Sequence, residues 1–280
     1  MTMRFKSVLV AGGVLALAFS LWAQKDKDKA PSGPKPKNNK EVAALNAINA
    51  APTVDDKLKA IDNVLTNFKD TEFKPMLLEM ALQLEAQKGD YAQVVTYGQE
   101  ILDKDPKNAV ALVTLAGETA RRTREFDLDK DEKLAKADKW AKDGIEAAKT
   151  APKPAGTNMT DDQWEHQRKD LQSQGYEALG MSATVSKKYD DAITNFKLAL
   201  DLSPTAGTWL RLGQAYEDAS KWDEASDAYD KAGAMPNASA QIKTIATSKK
   251  AEVAKLKAGG GAKPPASAAP GGPQPVPIQH

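Results

Sequence analysis

Two consecutive stretches of the chain carry the same residue types at the same spacing, and this internal repeat limits the fold more than any other feature. The second stretch reads Trp209-x2-Leu212-Gly213-x2-Tyr216, then Ala225-x3-Tyr229-x2-Ala232, and ends at Pro236. The first stretch has matching residues at Tyr176, Leu179, Gly180, Ala183, Ala192, Phe196, Ala199 and Pro204. Because the apolar residues recur at helical spacing, each copy predicts two helices joined by a turn.

Weaker copies extend this pattern toward both ends of the chain. Residues 75–108 keep the register, with Gly89 and Tyr91 at the turn and Pro106 at the end. Residues 109–150 begin as a copy, but about nine extra residues separate the two helices. We predict repeats near residues 41–70, 75–108, 109–150, 173–206 and 206–236, followed by a Lys-rich capping helix at 237–257.

Polar side chains before the helical patterns predict where several helices begin. Thr160 with Gln163 has the spacing of a capping box and opens a helix that we extend to about Ser186. Asp105-Pro106 and Ser203-Pro204 each place a capping side chain before a proline, which the first turn of a helix tolerates. Joined by short turns, these segments predict about eleven helices in all.

The repeat resembles the tetratricopeptide consensus at nearly every signature position, over residues 40–257. The resemblance implies an all-α fold, a right-handed superhelical solenoid of helix-turn-helix repeats with a C-terminal capping helix. In this family, small residues at the eighth and twentieth positions let the paired helices approach closely. Gly180 and Gly213 stand at the eighth position, and Ala192 and Ala225 stand at the twentieth. Bulky substitutions there should therefore be costly.

The resemblance also implies a concave surface lined by the first helix of each repeat. Transferring the family's positions to this chain gives the candidate groove residues Gln83, Gln87, Arg121, Gln174, Glu177, Gln214, Glu217 and Asp218. The same register adds Met76, Glu79, Val113, Gly117, Met181 and Leu210. Such a mixed, polar groove suits an extended peptide or a helix held by amide and charged contacts. The alternative is that these side chains are only solvated.

The two ends of the chain differ from the repeats. Residues 1–23 place Arg4 and Lys6 before an apolar run, the pattern of a secretory signal peptide, so we expect an exported protein of the periplasm or extracellular space. The run of about 15 apolar residues is short for a membrane span, which needs about 20, so no stable span should remain after cleavage. The alternative is an uncleaved anchor. Residues 24–39 predict a disordered basic linker, and residues 258–280 predict a disordered tail rich in Pro, Gly and Ala.

The composition argues against several kinds of chemistry. The chain has no cysteine and only two histidines, which excludes thiol catalysis and leaves little basis for a histidine base or a multi-histidine metal site. Lys+Arg (39) and Asp+Glu (38) nearly cancel, so nothing favours nucleic acid as a partner. We therefore expect no enzyme activity, no cofactor and no bound metal.

One acidic segment carries part of a calcium-binding pattern. Asp127, Asp129, Asp131 and Asp138 fall at positions 1, 3, 5 and 12 of an EF-hand loop, but Glu132 stands where that loop needs glycine. We interpret the segment as an exposed loop between helices, whose Asp side chains favour the N-terminus of the following helix. The alternative is a calcium-binding loop.

The sequence thus predicts a protein-protein interaction scaffold or adaptor whose groove binds a peptide or helix of another protein. The alternative is a structural spacer that self-associates through its repeats and has no specific peptide ligand. The same repeat fold serves many unrelated partners, so the prediction concerns a partner protein in general.

Overall fold

The computed structural model describes residues 33–259, which form eleven α-helices and no strand. In chain order the helices are α1 Asn39–Ala50, α2 Val54–Asn67, α3 Lys74–Lys88, α4 Tyr91–Lys104, α5 Ala109–Arg122, α6 Lys130–Thr150, α7 Asp161–Val185, α8 Tyr189–Leu202, α9 Ala206–Asp218, α10 Trp222–Ala234 and α11 Ala240–Ala258. The predicted signal peptide, most of the predicted linker and nearly all of the predicted tail lie outside the described residues.

The helices stack in two layers. Each helix packs against the next one along the chain, and α3, α5, α7 and α9 also contact the next odd-numbered helix. Within residues 33–259, no even-numbered helix contacts another even-numbered helix. A stack whose odd-numbered helices are close together and whose even-numbered helices are apart must curve with the odd-numbered helices on the inside. The prediction of an all-helical repeat solenoid is confirmed.

Glycines bring the two helices of a repeat together. A Cβ added to Gly180 would lie 2.6 Å from Cε1 of Phe196, and one added to Gly213 would lie 2.6 Å from Cε1 of Tyr229. Both aromatic side chains are 1% exposed. Because the ring of the second helix occupies the place of the missing side chain on the first, neither glycine can be enlarged without moving a buried ring.

Two predicted helix starts are wrong. Asp105 ends α4 and Ser203 ends α8, and the following helices begin only after Asn108 and Thr205. The side chain of Asn108 accepts a hydrogen bond from the backbone N of Ala111, and that of Thr205 accepts one from Thr208, both at 3.0 Å. A residue before proline is disfavoured in the α conformation, so each X-Pro pair ends one helix and the cap of the next lies further on.

The third and fourth repeats are enlarged by longer helices. α7 has 25 residues and begins with a full capping box, in which Thr160 and Gln163 satisfy each other's backbone N–H. Its first turns pack on the end of α6, where the indole of Trp164 donates to the carbonyl of Ala151 at 3.0 Å. Further along α7, Gly175 packs directly on the side chain of Ile145 of α6. The extension therefore continues the packing of the solenoid.

The described part of the predicted basic linker makes defined contacts. Gly33 is buried, and a Cβ on it would lie 2.7 Å from Cα of Gly156, in the loop between α6 and α7. The backbone N of Lys35 donates to the carboxylate of Glu72 at 2.9 Å. Asn38 then caps α1, so the first helix begins where the linker was expected to continue. Residues 33–38 thus lie against the helix-connecting loops of the solenoid.

Candidate partner-binding groove

The odd-numbered helices place most of the predicted groove residues at an accessible surface. Gln87 and Gln174 are exposed, and Gln83, Arg121, Glu177, Gln214 and Asp218 are half-buried. Polar side chains that solvent can reach therefore occur on α3, α5, α7 and α9, which are the inner helices of the stack. We call the surface formed by these four helices the groove.

An arginine-carboxylate pair lies on α5. Arg121 donates a short hydrogen bond to Glu118, whose side chain is only 2% exposed, and Nε of Arg122 lies 3.5 Å from the same carboxylate. Burial lowers the pKa of Arg121, an effect that Glu118 opposes and Arg211 reinforces. Arginine nevertheless remains a cation near neutral pH. The buried Nε of Arg121 has no hydrogen-bond partner among the described residues.

A second pair links α7 to α9. Thr208 donates a short hydrogen bond to Glu177, and the guanidinium of Arg211 lies 3.8 Å from the other oxygen of that carboxylate. The charge of Arg211 also lowers the pKa of Arg121, so the two ion pairs are coupled electrostatically. The middle of the groove therefore holds two cations, each beside a carboxylate, and can contact groups of either charge.

Glu217 is not a groove residue that a partner could reach. Its side chain is 1% exposed and accepts a hydrogen bond from the hydroxyl of Tyr229 at 2.8 Å, while Lys249 of α11 lies at 3.4 Å. Burial and this carboxylate raise the pKa of Tyr229. Glu217 thus joins α9 to α10 and α11. Its neighbour Asp218 is more accessible and accepts a hydrogen bond from Gln214 at 3.3 Å.

The N-terminal part of the groove contains Glu79, whose carboxyl group has a raised pKa. The side-chain amide of Asn108 donates to Glu79 at 2.6 Å. Burial raises the pKa of Glu79, although the hydrogen bond from Asn108 lowers it in part. The bond spans from α3 to the cap of α5, so it joins consecutive repeats.

Val113 and Gly117, which the family's positions also assign to the groove, differ in their exposure to solvent. Val113 is 1% exposed, and its Cγ1 would lie 2.7 Å from a Cβ on Gly144, so Val113 belongs to the core between α5 and α6. Gly117 is half-buried, and a Cβ built on it would meet nothing within 4 Å. The groove is therefore open above Gly117, one helical turn from Arg121.

The turn between α3 and α4 supports the groove from its edge. Gly89 ends α3 with a φ of 79°, a left-handed conformation that glycine adopts without strain. Its carbonyl accepts a hydrogen bond from Arg122 at 2.5 Å, and the guanidinium of Arg122 lies 5.4 Å from the ring centre of Tyr91. The hydroxyl of Tyr91 pairs with Thr119 at 2.9 Å. The signature residues of one repeat thereby hold the inner helix of the next.

Sequence reasoning did not single out Glu118, Thr208 or Arg211. Glu118 stands three residues before Arg121, the spacing of an ion pair on one helix face, and this is the signal that could have revealed it. Thr208 and Arg211 contact Glu177 across a sequence distance of about 30 residues. No local pattern indicates such a contact.

The described residues contain no group of acidic or histidine side chains that could hold a metal ion. In the segment with the partial calcium pattern, Nζ of Lys133 lies 2.8 Å from Asp129 and 3.5 Å from Asp127. The hydrogen bond from Lys133 lowers the pKa of Asp129. A lysine thus stands beside the carboxylates that a calcium ion would need. Between residues 33 and 259, every helix is too short or too polar to span a membrane.

The stack of paired helices and its polar inner surface define a solenoid of the tetratricopeptide type. Among solved structures, the chain is similar to a thermophilic TPR protein of Thermus thermophilus, at 16% identity and with a TM-score of 0.55. The alignment covers 75% of this chain and 98% of that one. No protein-family model and no curated protein matches the sequence. At this identity the likeness concerns the fold alone.

Proposed function

We propose that this protein is an interaction scaffold whose groove binds an extended or helical segment of another protein. The observation that carries the proposal is that four successive inner helices expose polar side chains beside one another, with open space above Gly117. Amide side chains such as Gln83 and Gln174 can both donate to and accept from a peptide backbone. A scaffold role also agrees with the fold, whose successive inner helices present a continuous polar surface.

The charges in the groove favour a partner segment that carries both carboxylates and hydrogen-bond donors. Arg121 and Arg211 are already paired with Glu118 and Glu177, so a partner carboxylate adds to an existing ion pair. Since the paired arginines are held in place before binding, little side-chain entropy is lost when a carboxylate arrives.

Photo-crosslinking in the native host tests this proposal. A photoreactive residue at position 174 should capture one partner protein, and the same residue at position 93 on the outer helix α4 should not. The purified partner should then bind the unaltered chain and bind Gln174→Glu/Gln214→Glu at least about tenfold more weakly, because the new carboxylates repel those of the partner. The matched control is Gln93→Glu/Gln99→Glu, which makes the same change of charge on the outer layer.

Two outcomes contradict the groove proposal. If the purified partner binds both double variants equally, the binding surface lies elsewhere. If position 174 crosslinks only to a second copy of this chain, the protein is a self-associating spacer. Circular dichroism melting of each variant establishes that the fold is retained.

The N-terminal sequence supports a further part of the proposal, namely that the scaffold acts outside the cytoplasm. The support is Arg4 and Lys6 followed by an apolar run and then by dense charge. Fractionation of the native host, with N-terminal sequencing of the purified protein, is the test. A mature chain that begins near Gln24 in an exported fraction is expected, and an intact Met1 in the cytoplasm would contradict it.

A further inference from the structure

Two large apolar side chains are fully exposed in one loop. The loop between α5 and α6, residues 123–129, holds Phe126 at 88% exposure and Leu128 at 108%. The other exposed large apolar side chains among residues 33–259 are Val42 and Leu198, at 38% and 39%. Phe126 and Leu128 thus form the most exposed apolar surface in the described structure. Such surfaces on soluble proteins mark interaction sites when they cluster.

The loop is longer than closing the helix pair requires. In the second repeat, Gly89 and Asp90 are sufficient to connect α3 to α4. Three residues connect α7 to α8 and three connect α9 to α10, whereas seven connect α5 to α6. The additional residues are those that carry Phe126 and Leu128 away from the helices.

Polar groups hold the loop in one conformation while its apolar side chains point to solvent. The carboxylate of Asp127 accepts from the backbone N of Arg124 at 3.1 Å, and the guanidinium of Arg124 donates to the carbonyl of Arg121 at 2.8 Å. Lys133 pairs with Asp127 and Asp129, and Lys187 of the next repeat pairs with Glu125. Because the loop is already ordered, a partner that covers Phe126 does not have to order it.

The charge around the two apolar side chains determines which partner fits. Glu125, Asp127 and Asp129 alternate with Phe126 and Leu128 along the loop. These carboxylates repel an anionic lipid surface, and because their ion pairs with Lys133 and Lys187 are partly exposed, the carboxylates stay accessible to cations of a partner. A complementary surface is therefore an apolar pocket bordered by lysine or arginine.

We propose that the loop of residues 123–129 is a second docking element, which inserts Phe126 and Leu128 into an apolar, basic-rimmed pocket of a partner protein. The loop lies at the edge of the solenoid, where an inner helix turns into an outer helix, so a partner can occupy it independently of the groove. This proposal therefore goes beyond the groove-binding function and does not depend on it.

A photoreactive residue in place of Phe126, in the full-length chain expressed in its native host, identifies the protein that contacts the loop. The crosslinked peptide of that protein should contain apolar residues next to lysine or arginine. Binding of the purified partner to the unaltered chain, to Phe126→Ser/Leu128→Ser and to Leu198→Ser is then measured by calorimetry. We expect the loop variant to bind at least about tenfold more weakly and the Leu198 variant to bind as the unaltered chain does.

The variants separate this proposal from the groove-binding function. Because both loop side chains are exposed, Phe126→Ser/Leu128→Ser should melt at the same temperature as the unaltered chain, so weaker binding would not reflect unfolding. Loss of binding in the loop variant but not in Gln174→Glu/Gln214→Glu supports the loop as an independent site. Equal affinity of the loop variant and the unaltered chain overturns the proposal, and so do crosslinks only to lipid or only to a second copy.

Discussion

At the scale of single residues, the same amino acid has opposite roles at two places in the solenoid. Gly213 is buried, and its missing Cβ leaves the space that the ring of Tyr229 fills. Gly117 has nothing within 4 Å of where its Cβ would be, so no neighbour requires a glycine there. Glycine in a helix costs about 0.5–1 kcal/mol relative to alanine, and only Gly213 offsets this cost through packing.

Gly213→Ala is expected to lower the free energy of unfolding by about 1–3 kcal/mol, because the new methyl group displaces a ring that is 1% exposed. Gly213→Leu should cost more. Gly117→Ala is the control and should raise the stability by about 0.5–1 kcal/mol. Thermal melting of the three variants measures the difference. An unchanged Gly213→Ala protein would show that the assigned packing of α9 on α10 is wrong.

Glu79 makes the stability depend on pH in a definite direction. Its pKa is raised above the ordinary value of 4.5, mainly by burial. Just above 4.5 the folded chain therefore holds more protons than the unfolded chain, and stability falls as the pH rises through that window. Glu79→Gln keeps an acceptor for Asn108 and removes the titration.

We expect Glu79→Gln to melt at a higher temperature than the unaltered chain at pH 7 and to lose this advantage near pH 3.5, where both side chains are neutral. Ser248→Ala on α11 provides the control, because it changes an exposed side chain without removing a titratable group, and it should show no such change with pH. An advantage of the same size at both pH values would mean that burial does not raise the pKa of Glu79.

At the scale of helices, capping decides where the longest element begins. Asp161 follows a Thr160 whose side chain accepts from the backbone N of Gln163 at 3.2 Å, and Gln163 accepts from Thr160 N at 2.9 Å. This reciprocal pair satisfies two donors that would otherwise lack a partner at the helix end. α7 contacts α5, α6, α8 and α9, so fraying at its start affects several neighbours.

Thr160→Ala is expected to lower the free energy of unfolding by about 0.5–2 kcal/mol, since it removes the capping oxygen. Ser248→Ala, an exposed position inside α11, is the matched control and should be neutral or slightly stabilising. Denaturant titration followed by circular dichroism compares the two. If both variants unfold at the same denaturant concentration, the start of α7 does not contribute to stability.

At the scale of the whole molecule, contacts are made between neighbours, so stability is distributed unevenly along the stack. Among the described helices, α1 contacts no helix other than α2, and α2 contacts α3, while the residues just before α1 contact the loops that hold Glu72 and Gly156. The helices from α5 to α8 are joined more extensively, through Gly144, Gly175 and Gly180. The first pair should therefore open without unfolding the middle of the solenoid.

Hydrogen exchange followed by mass spectrometry tests this gradient. Amides of α1 and α2 should exchange at least about tenfold faster than those of α5 to α8 under native conditions. The same protection throughout residues 39–258 would show that the solenoid unfolds as one cooperative unit. The C-terminal end can be compared with the N-terminal end in the same experiment. There α11 covers α10 with Ala246 and Val253, which are 3% and 2% exposed.

The helical repeats and the positions of their small and aromatic residues follow from the amino-acid sequence alone. These features are local: apolar spacing selects the buried face of each helix, and the Thr160-Gln163 pair needs only its own backbone. The fold class and the capping box of α7 were therefore predictable. The sequence also predicted a long loop after α5, because residues 109–150 contain more residues than the repeat pattern needs.

Which polar side chains are buried, and which face a partner, depends instead on how the helices pack. Glu217 and Gln214 lie on one helix three residues apart, yet Glu217 is buried because Tyr229 and Lys249 come from other helices to meet it. Glu177 of α7 likewise meets Thr208 and Arg211, which come from α9. The exposure of Phe126 was not predictable either, because an apolar side chain is expected to be buried. A spacing selects a face of a helix, but what lies opposite that face depends on residues far away in the chain.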